Sequence, residues 1–410
     1  MRAIIAMIAV IATACTPGPD TSTPVRTGLD RLAEYNDLFR GKRVGIISNH
    51  TGQTADGTPI AKVFMALDDV TVTALFGPEH GFRGTSDAGE KIDTQVDPLH
   101  GIPVYSLYGE TRKPTAEMLA NVDVLVFDMQ DVGSRFYTFI WTMALTMEAA
   151  AEHGVDYVVL DRPNPIGGHI VEGNLLDTAF ATFVGMYPIP VRHGMTVGEL
   201  AQMFAGEGWL GDVPGLDLTV VPMSGWKRGM FFDDTGLPFN KPSPNMPHLR
   251  SEILYPGTCL IEGTNVSEGR GTANAFSLIG APWIDAPALA AELNSRGLTG
   301  VLFRDTVFTP VSREGATSPK FQDRSCYGVA LDITDRDTFR AYRTGIHLVD
   351  AIHRVHGDSL EWRERHFDRL CGTDRVRAAI QSGTDIDAIV ATWQDELAGF
   401  EQRRRRYLLY

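Results

Sequence analysis

Four stretches of near-continuous apolar residues mark the first part of the chain: "KRVGIISN" (42–49), "VTVTALFG" (70–77), "VDVLVFDMQ" (122–130) and "DYVVLDRPN" (156–164). Each ends in glycine or polar residues. A strand covered on both faces of a parallel sheet needs this composition, because it has no solvent side. Between them, "PIAKVFMAL" and "PTAEMLANV" suit helices, with Pro114 fitted to a first turn. The longer "FYTFIWTMALTMEAAAEHG" repeats Phe136, Ile140, Met143, Met147 and Ala151 at helical spacing, and Gly154 supplies a stop. Its uncharged part is shorter than a bilayer span, which makes it a buried core helix. Strand and helix in alternation predict an open, Rossmann-like α/β domain with a largely parallel sheet. Ligands of such sheets sit beyond the carboxyl ends of the strands.

The second half changes character. Thr196 followed by Glu199 forms a capping box before "VGELAQMFAGEG". "LDLTVVPM", "GVLFRDTVFTP" and "YGVALDITD" are expected strands. Helices are expected from Asp285 to Gly297, from about 336 to 356, 360 to 370 and 386 to 404. A long Gly/Pro/Asn-rich region containing "KPSPNMP" and "IEGTNVSEGRG" reads as functional loops. The expected organisation is a Rossmann-like domain over 28–190 and a second, smaller mixed α/β domain over 191–410.

The first residues stand apart from this pattern. "MRAIIAMIAVIATAC" has one arginine, a short apolar stretch and small residues before Cys15, the form of a lipoprotein signal over 1–15. Residues 16–27, beginning "TPGPDTSTP", read as a linker holding a domain away from a membrane. Export to the cell envelope, with lipid on Cys15 as the membrane attachment, is therefore expected. Cys259, Cys326 and Cys371 are widely spaced with no metal-ligand pattern and are expected as buried thiols.

A net charge of −14 over 410 residues excludes a nucleic-acid surface, which needs clustered Lys and Arg. The "RRRR" run at 403–406 closes a helical pattern and reads as a solvated helix end. No GxGxxG follows the first strand, and "GQTADGTP" lacks the Lys-Ser/Thr of a phosphate loop, so no nucleotide cofactor is expected. His50, His80 and His193 show no HExxH or HxH spacing, so no metal is expected. The GxSxG elbow of serine hydrolases is absent.

Acid/base chemistry by carboxylates is what this elimination leaves. Four polar clusters fall at predicted strand ends: Asn49 and His50; Glu79, His80 and Arg83; Asp128, Gln130 and Asp131; Asp161, Arg162 and Asn164. Any one alone fits a cap or turn. Glycoside hydrolysis needs a protonated carboxyl at the leaving oxygen, and a second carboxylate or an acetamido oxygen of the sugar opposite it. Glu79 in "GPEHG", Glu172 in "VEGN", Glu262 in "IEGTN" and Glu268 in "SEGRG" are the candidates, with Glu79 favoured by its strand-end position among glycines.

Taken together, "LFGPEHGFRG", "PVYSLYG", "VFDMQDVGSRFYTFIWTM", "LDRPNPIGG", "FVGMYPIPVRHGMTVGELA", "FNKPSPNMP", "IEGTNVSEGRGT" and "IGAPW" resemble the exo-β-N-acetylmuramidase family, once a domain of unknown function. The resemblance runs in order from about Gly28 to Tyr410. It implies an exported hydrolase that releases N-acetylmuramic acid from non-reducing ends of peptidoglycan-derived sugars, with its site in a cleft between two domains. Carried over by motif, Glu79 is the acid/base, with Glu172 and Glu262 as candidates for a second catalytic group. N-acetylmuramic acid bears a lactyl carboxylate, which Arg recognises in a planar fork. Arg83, Arg135, Arg162 and Arg270 lie in the motifs, as do His80, Asp128, Gln130, Asn164, Asn245 and Asn265, all expected at the sugar. Two other classes fit the same residues: a tethered glycan-binding protein without catalysis, and a metal-dependent esterase or deacetylase built on His50, His80 and Asp128.

Overall fold

The structure is a computed structural model and describes residues 24–79, 81–82, 95–97, 100–213 and 215–410. The leader, residues 16–23 of the expected linker, His80 and Arg83 lie outside the described residues.

Strands β1 (Arg43–Ser48), β2 (Thr71–Gly77), β3 (Gln95–Val96), β4 (Pro103–Ser106), β5 (Val124–Asp128) and β6 (Asp156–Leu160) are followed by a two-stranded antiparallel excursion, β7 (Glu172–Leu175) with β8 (Pro190–Arg192), and by β9 (Leu218–Val221). One seven-stranded sheet runs in the order β3-β4-β2-β1-β5-β6-β9. Its neighbours are parallel except β3, which is antiparallel to β4. Counted among the six parallel strands, the order is 3-2-1-4-5-6, that of a Rossmann sheet.

Strand alternation covers both faces of this sheet. Val44, Ile46, Val124, Val126, Val158 and Leu160 pack with Leu29, Leu32, Ile60 and Phe64 on one side. Ile47, Leu125, Phe127, Tyr157 and Val159 pack on the other, against the long helix. Helices α1 (Ile60–Met65), α2 (Ala116–Leu119), α3 (Phe139–His153) and α4 (Val197–Gly206) belong to this domain. Pro114 precedes the N-cap of α2, Thr115, rather than lying in the first turn, while α3 stops at left-handed Gly154 as its sequence predicts. Each fully buried Ile, Leu or Phe contributes about 1.5–3 kcal/mol of transfer free energy.

The second domain is built on α5 (Leu249–Thr258), β10 (Leu278–Ala281), α6 (Ala286–Ser295), β11 (Val301–Phe308), β12 (Cys326–Ile333), α7 (Ala341–His356) and α8 (Glu364–Cys371). Its sheet is antiparallel in the order β10-β12-β11. Helices α5 and α7 cross at Gly257 and Gly345, where a Cβ on either residue would overlap the backbone of the other helix. Only glycine permits that approach.

Three expectations are corrected. The domain boundary does not fall at 190/191, because β9 joins the first sheet beside β6; the excursion through β7, β8 and α4 resembles a new domain in sequence. The expected linker does not run to 27: Val25 is buried with Met223 and Trp226, and Arg26 bridges to Ser224. Arg404 is not a solvated helix end. Its guanidinium is buried and donates to the carbonyls of Gly168 and Gly194, fastening the last helix to the first domain. Cys259, Cys326 and Cys371 are buried free thiols. Among the described residues, no helix is long and apolar enough to cross a membrane.

Candidate active site

Parallel pairing of β2, β1, β5 and β6 brings their four polar ends to one edge, as the sequence predicts. The crevice between β1 and β5 is where strand order reverses and where a Rossmann protein would hold a dinucleotide. Here the chain fills it. Ser48 Oγ donates to the Asp128 carbonyl at 2.6 Å. Asn49 Oδ1 accepts from Thr51 N and Oγ1 at 2.9 and 2.6 Å, and Thr51 Oγ1 accepts from Gln130 N at 3.0 Å. The Arg162 guanidinium grips buried Asp128 through Nε and Nη2 (2.5 and 2.9 Å) and reaches the Gln53 carbonyl at 3.0 Å.

Several residues expected at the sugar therefore act inside the protein. Asp128 and Arg162 neutralise each other. Gln130 Nε2 donates to the carbonyls of Asp131 and Pro163 (2.9 and 2.8 Å). Asn164 donates to the Met195 carbonyl and accepts from Ile166 N. Asp161 accepts from Thr196 Oγ1, Gly198 N and the Tyr410 hydroxyl, so it joins the α4 cap and the chain terminus to the strand end. Arg135 is fully buried, and its Nη groups donate to the carbonyls of Asn174, Ile189, Leu370 and Cys371; a ligand carboxylate cannot reach it. Trp141 is core, with its indole N–H on the Arg135 carbonyl.

The end of β2 is different. Glu79, two residues beyond β2, is half-buried. Thr138, just before α3, donates its Oγ1 to Glu79 Oε2 at 2.7 Å. The Tyr108 phenol, which follows β4, hydrogen-bonds the same carboxyl; burial and then the Glu79 charge push that phenol up to about 12. Arg112 lies over the rings of Phe183 (4.3 Å) and Tyr108 (5.5 Å) and pins the tyrosine. Two hydroxyls from separate elements thus fix the orientation of one carboxyl group.

Beneath Glu79 lies a buried polar floor. Burial pushes the Tyr137 phenol well above its usual value; the Ser243 hydroxyl beside it opposes this, and the charges of Asp131, Glu79 and Glu252 add to it. Asp131 Oδ2 accepts from Gly133 N at 2.7 Å while Oδ1 has no partner, and burial raises its carboxyl to about 7. Glu252, on α5, is fully buried with neither oxygen partnered; burial, then the Asp131 charge, push it well above the carboxylate range. His193 Nε2 stands 4.0 Å from Asp131 Oδ2, and burial pushes its imidazole down to about 3, so it is neutral. The floor is polar but carries little charge at mildly acidic pH. Tyr255, one turn beyond Glu252, sets its ring 6.0 Å from that of Tyr137 and joins the two domains there.

The other two candidate catalytic glutamates sit in other roles. Glu172 is buried on β7 and accepts from Arg343 N near the start of α7, a helix-terminus contact. Burial would raise Glu262, but Arg270 at 2.7 Å and His366 at 3.6 Å outweigh it and hold its carboxyl well below the usual range, which is contrary to a general acid. Arg270 is divided between Glu262 and Glu268 (2.7 and 3.3 Å) on the wall of a cavity of about 420 Å³. Asn245 donates to the Gly315 carbonyl at 2.6 Å. Asn265 donates to the Ser359 carbonyl and accepts from Glu361 N, tying two loops together. The metal alternative loses two of its donors: His50 Nε2 is on the Lys241 carbonyl at 2.7 Å, and Asp128 is on Arg162.

Sequence reasoning missed Tyr108, Thr138 and Glu252. The first two sit inside the quoted motifs "PVYSLYG" and "RFYTFIW", so the signal was present but carried no charge. Glu252 lies in "SEILYPGT", a helix with Pro256 inside it that reads as loop.

Comparison with known proteins bears on this arrangement. Residues 44–250 match the family model described as exo-beta-N-acetylmuramidase NamZ, N-terminal, and residues 253–410 match its C-terminal counterpart. The two models meet within the first turn of α5, beyond the boundary expected from sequence. A peptidoglycan beta-N-acetylmuramidase NamZ of Bacillus subtilis (strain 168) is 47% identical over 406 residues, covering 97% of this chain and 96% of that protein. Two crystal structures of DUF1343 family proteins from Bacteroides fragilis NCTC 9343 superpose with TM-scores of 0.86 and 0.78. They are 35% and 36% identical, cover 94% and 95% of this chain, and are themselves covered to 99%. With both family models matched in succession over a Rossmann-type sheet, the chain belongs to the exo-β-N-acetylmuramidase NamZ family, a family of glycoside hydrolases.

Proposed function

We propose that this enzyme removes N-acetylmuramic acid from the non-reducing ends of peptidoglycan fragments, with Glu79 as its acid/base. The observation that carries the assignment of Glu79 is its setting: a half-buried carboxyl just beyond the end of β2, oriented by Thr138 Oγ1 at 2.7 Å and by the Tyr108 phenol. Of the remaining strand-end carboxylates, Asp128 and Asp161 are spent on protein partners and Asp131 is buried.

In the forward step, protonated Glu79 gives its proton to the glycosidic oxygen as the C1–O bond breaks, and the aglycone leaves as an alcohol. Water then supplies the new oxygen at C1, directly or after attack by the sugar's own acetamido oxygen. A proton from that water returns to the protein. Tyr108 and Thr138 act as positioning residues that hold the carboxyl toward the bond being cleaved. The apolar leader ending at Cys15 supports a further proposal, that the enzyme is exported and lipid-tethered. Mass spectrometry of the mature N-terminus tests it, an unmodified start being the contrary result.

The test of function is release of N-acetylmuramic acid from a MurNAc-GlcNAc disaccharide, with Glu79→Gln as comparison. A folded Gln variant slower by about 10²–10⁴-fold fixes both the reaction and its acid. Retained activity in the variant refutes the assignment of Glu79, and an inactive parent refutes the reaction.

A further inference from the structure

The cavity beside α8 has no role in the mechanism above, and its chemistry is specific. Its volume is about 420 Å³, within the size range of small-molecule sites. Its walls carry Arg270, Lys320 and Arg363 with Glu262 and Glu268. Arg270 is held by Glu262 at 2.7 Å and Glu268 at 3.3 Å. Lys320 is held by Glu268 at 3.0 Å and by the carbonyls of Ile261 and Val266. Two carboxylates thus fix two cations and leave one over. That surplus charge is Arg363, whose guanidinium is exposed and has no side-chain partner among the described residues.

Two links connect this cavity to Glu79. His366 on its wall accepts at Nδ1 from Arg369 Nε (2.9 Å), and the Arg369 charge acts on the Tyr108 phenol that hydrogen-bonds Glu79. From the other side, Tyr255 feels both Glu262 and Arg270 and sets its ring 6.0 Å from Tyr137, above the polar floor. A packed series runs from the cavity wall toward the floor of the Glu79 site: Arg270 lies over the Phe276 ring at 5.0 Å, Phe276 meets Tyr255 at 4.8 Å, and Tyr255 meets Tyr137.

We propose that the cavity receives the carboxylate of the 3-O-lactyl arm of N-acetylmuramic acid, with Arg363 as the cation that binds it. This rests on the muramidase reading and deepens it. One surplus positive charge matches one carboxylate, and a guanidinium offers it two parallel N–H donors. Arg270 and Lys320, already neutralised, shape the pocket.

The test uses three chromogenic muramides: the free lactyl acid, its primary amide, and the acid extended by one alanine. The parent is expected to prefer the free acid over the amide. Arg363→Ala should cut kcat/KM for the free acid by about 10–100-fold, the size of one lost charge-assisted hydrogen bond, and abolish the preference. Arg363→Lys should restore part of it. Equal losses on acid and amide, or an intact preference in Arg363→Ala, overturn the proposal. If the alanyl substrate is favoured and only its turnover depends on Arg363, the site reads a stem peptide and the lactyl assignment is wrong. Should the parent cleave no muramide, calorimetric binding of N-acetylmuramic acid against its amide decides the question separately: a preference for the acid that Arg363→Ala removes supports the site even though the activity has failed.

Discussion

Thr138 Oγ1 donates to Glu79 Oε2 at 2.7 Å, joining the residue before a long core helix to the end of the neighbouring strand β2. The contact orients a carboxyl group without neutralising it, as an arginine would. Replacing Thr138 by Val keeps the shape of the side chain and removes the donor. A hydrogen bond to a charged group is worth about 1.5–3 kcal/mol, so kcat should fall about 10–100-fold with KM little changed. Tyr108→Phe should act in the same direction. The double variant should lose less than the product of the single losses, since both hydroxyls orient one group. Steady-state kinetics on a muramide checks this; a change confined to KM contradicts a positioning role.

The buried Arg162–Asp128 pair gives a prediction about stability. Arg162 is 6% exposed and Asp128 is 0% exposed, so Arg162→Met leaves a carboxylate in the core without its partner. The expected loss is about 3–5 kcal/mol in urea unfolding. A double replacement, Arg162→Met with Asp128→Leu, should recover most of it, because no isolated charge remains. Failure of the double variant to recover would show that the hydrogen bond to the Gln53 carbonyl matters more than the charge balance.

Much of the fold was legible because burial on both faces of a parallel strand leaves an unmistakable apolar run; β1, β2, β5 and β6 are all of this kind. Short β4 and the β7–β8 pair were not legible, since "PVYS" and "EGNL" have too few apolar residues to register. The position of Glu79 at the end of β2 was legible as a charge closing a strand. Arg162 and Gln130 share that signature, but residues far away in sequence, Gln53 and Pro163, satisfy them. Nothing local distinguishes a polar residue turned to a ligand from one turned to a carbonyl. Glu252 was hidden for another reason: its helix contains a proline and ends against Gly345, a tertiary contact that propensity does not foresee.

That helix crossing is itself testable. A methyl group at Gly345 would press into the backbone at Gly257 and displace α5, which carries Glu252 and Tyr255. Gly345→Ala should destabilise by about 1–3 kcal/mol through overpacking and lower kcat as well. Gly399→Ala is the control, because a Cβ there meets nothing within 4 Å on an exposed helix position. It should be neutral or stabilising by up to about 1 kcal/mol. Thermal melts and kinetics on the two variants separate the crossing from a general intolerance of alanine for glycine.

The polar floor makes stability depend on pH in a definite direction. Burial raises the Asp131 carboxyl to about 7, whereas the unfolded chain titrates it near the ordinary aspartate value of about 4. Between those values the folded chain holds a proton that the unfolded chain has lost. Stability from this group is therefore full below pH 4 and declines as pH rises toward 7, at about 1.4 kcal/mol per unit. Asn keeps an oxygen to accept from Gly133 N but does not titrate, so Asp131→Asn should gain on the parent by a few kcal/mol between pH 5 and pH 8. Relief of Glu252, which feels the Asp131 charge, acts in the same direction. His193, pushed down to about 3 by burial, has the opposite slope below pH 6.5, but it is present in both proteins and cancels in the difference. Urea unfolding of both chains at pH 5 and pH 8 measures that difference. If it does not change with pH, Asp131 is ionised throughout, and the floor beneath Glu79 is a charged one.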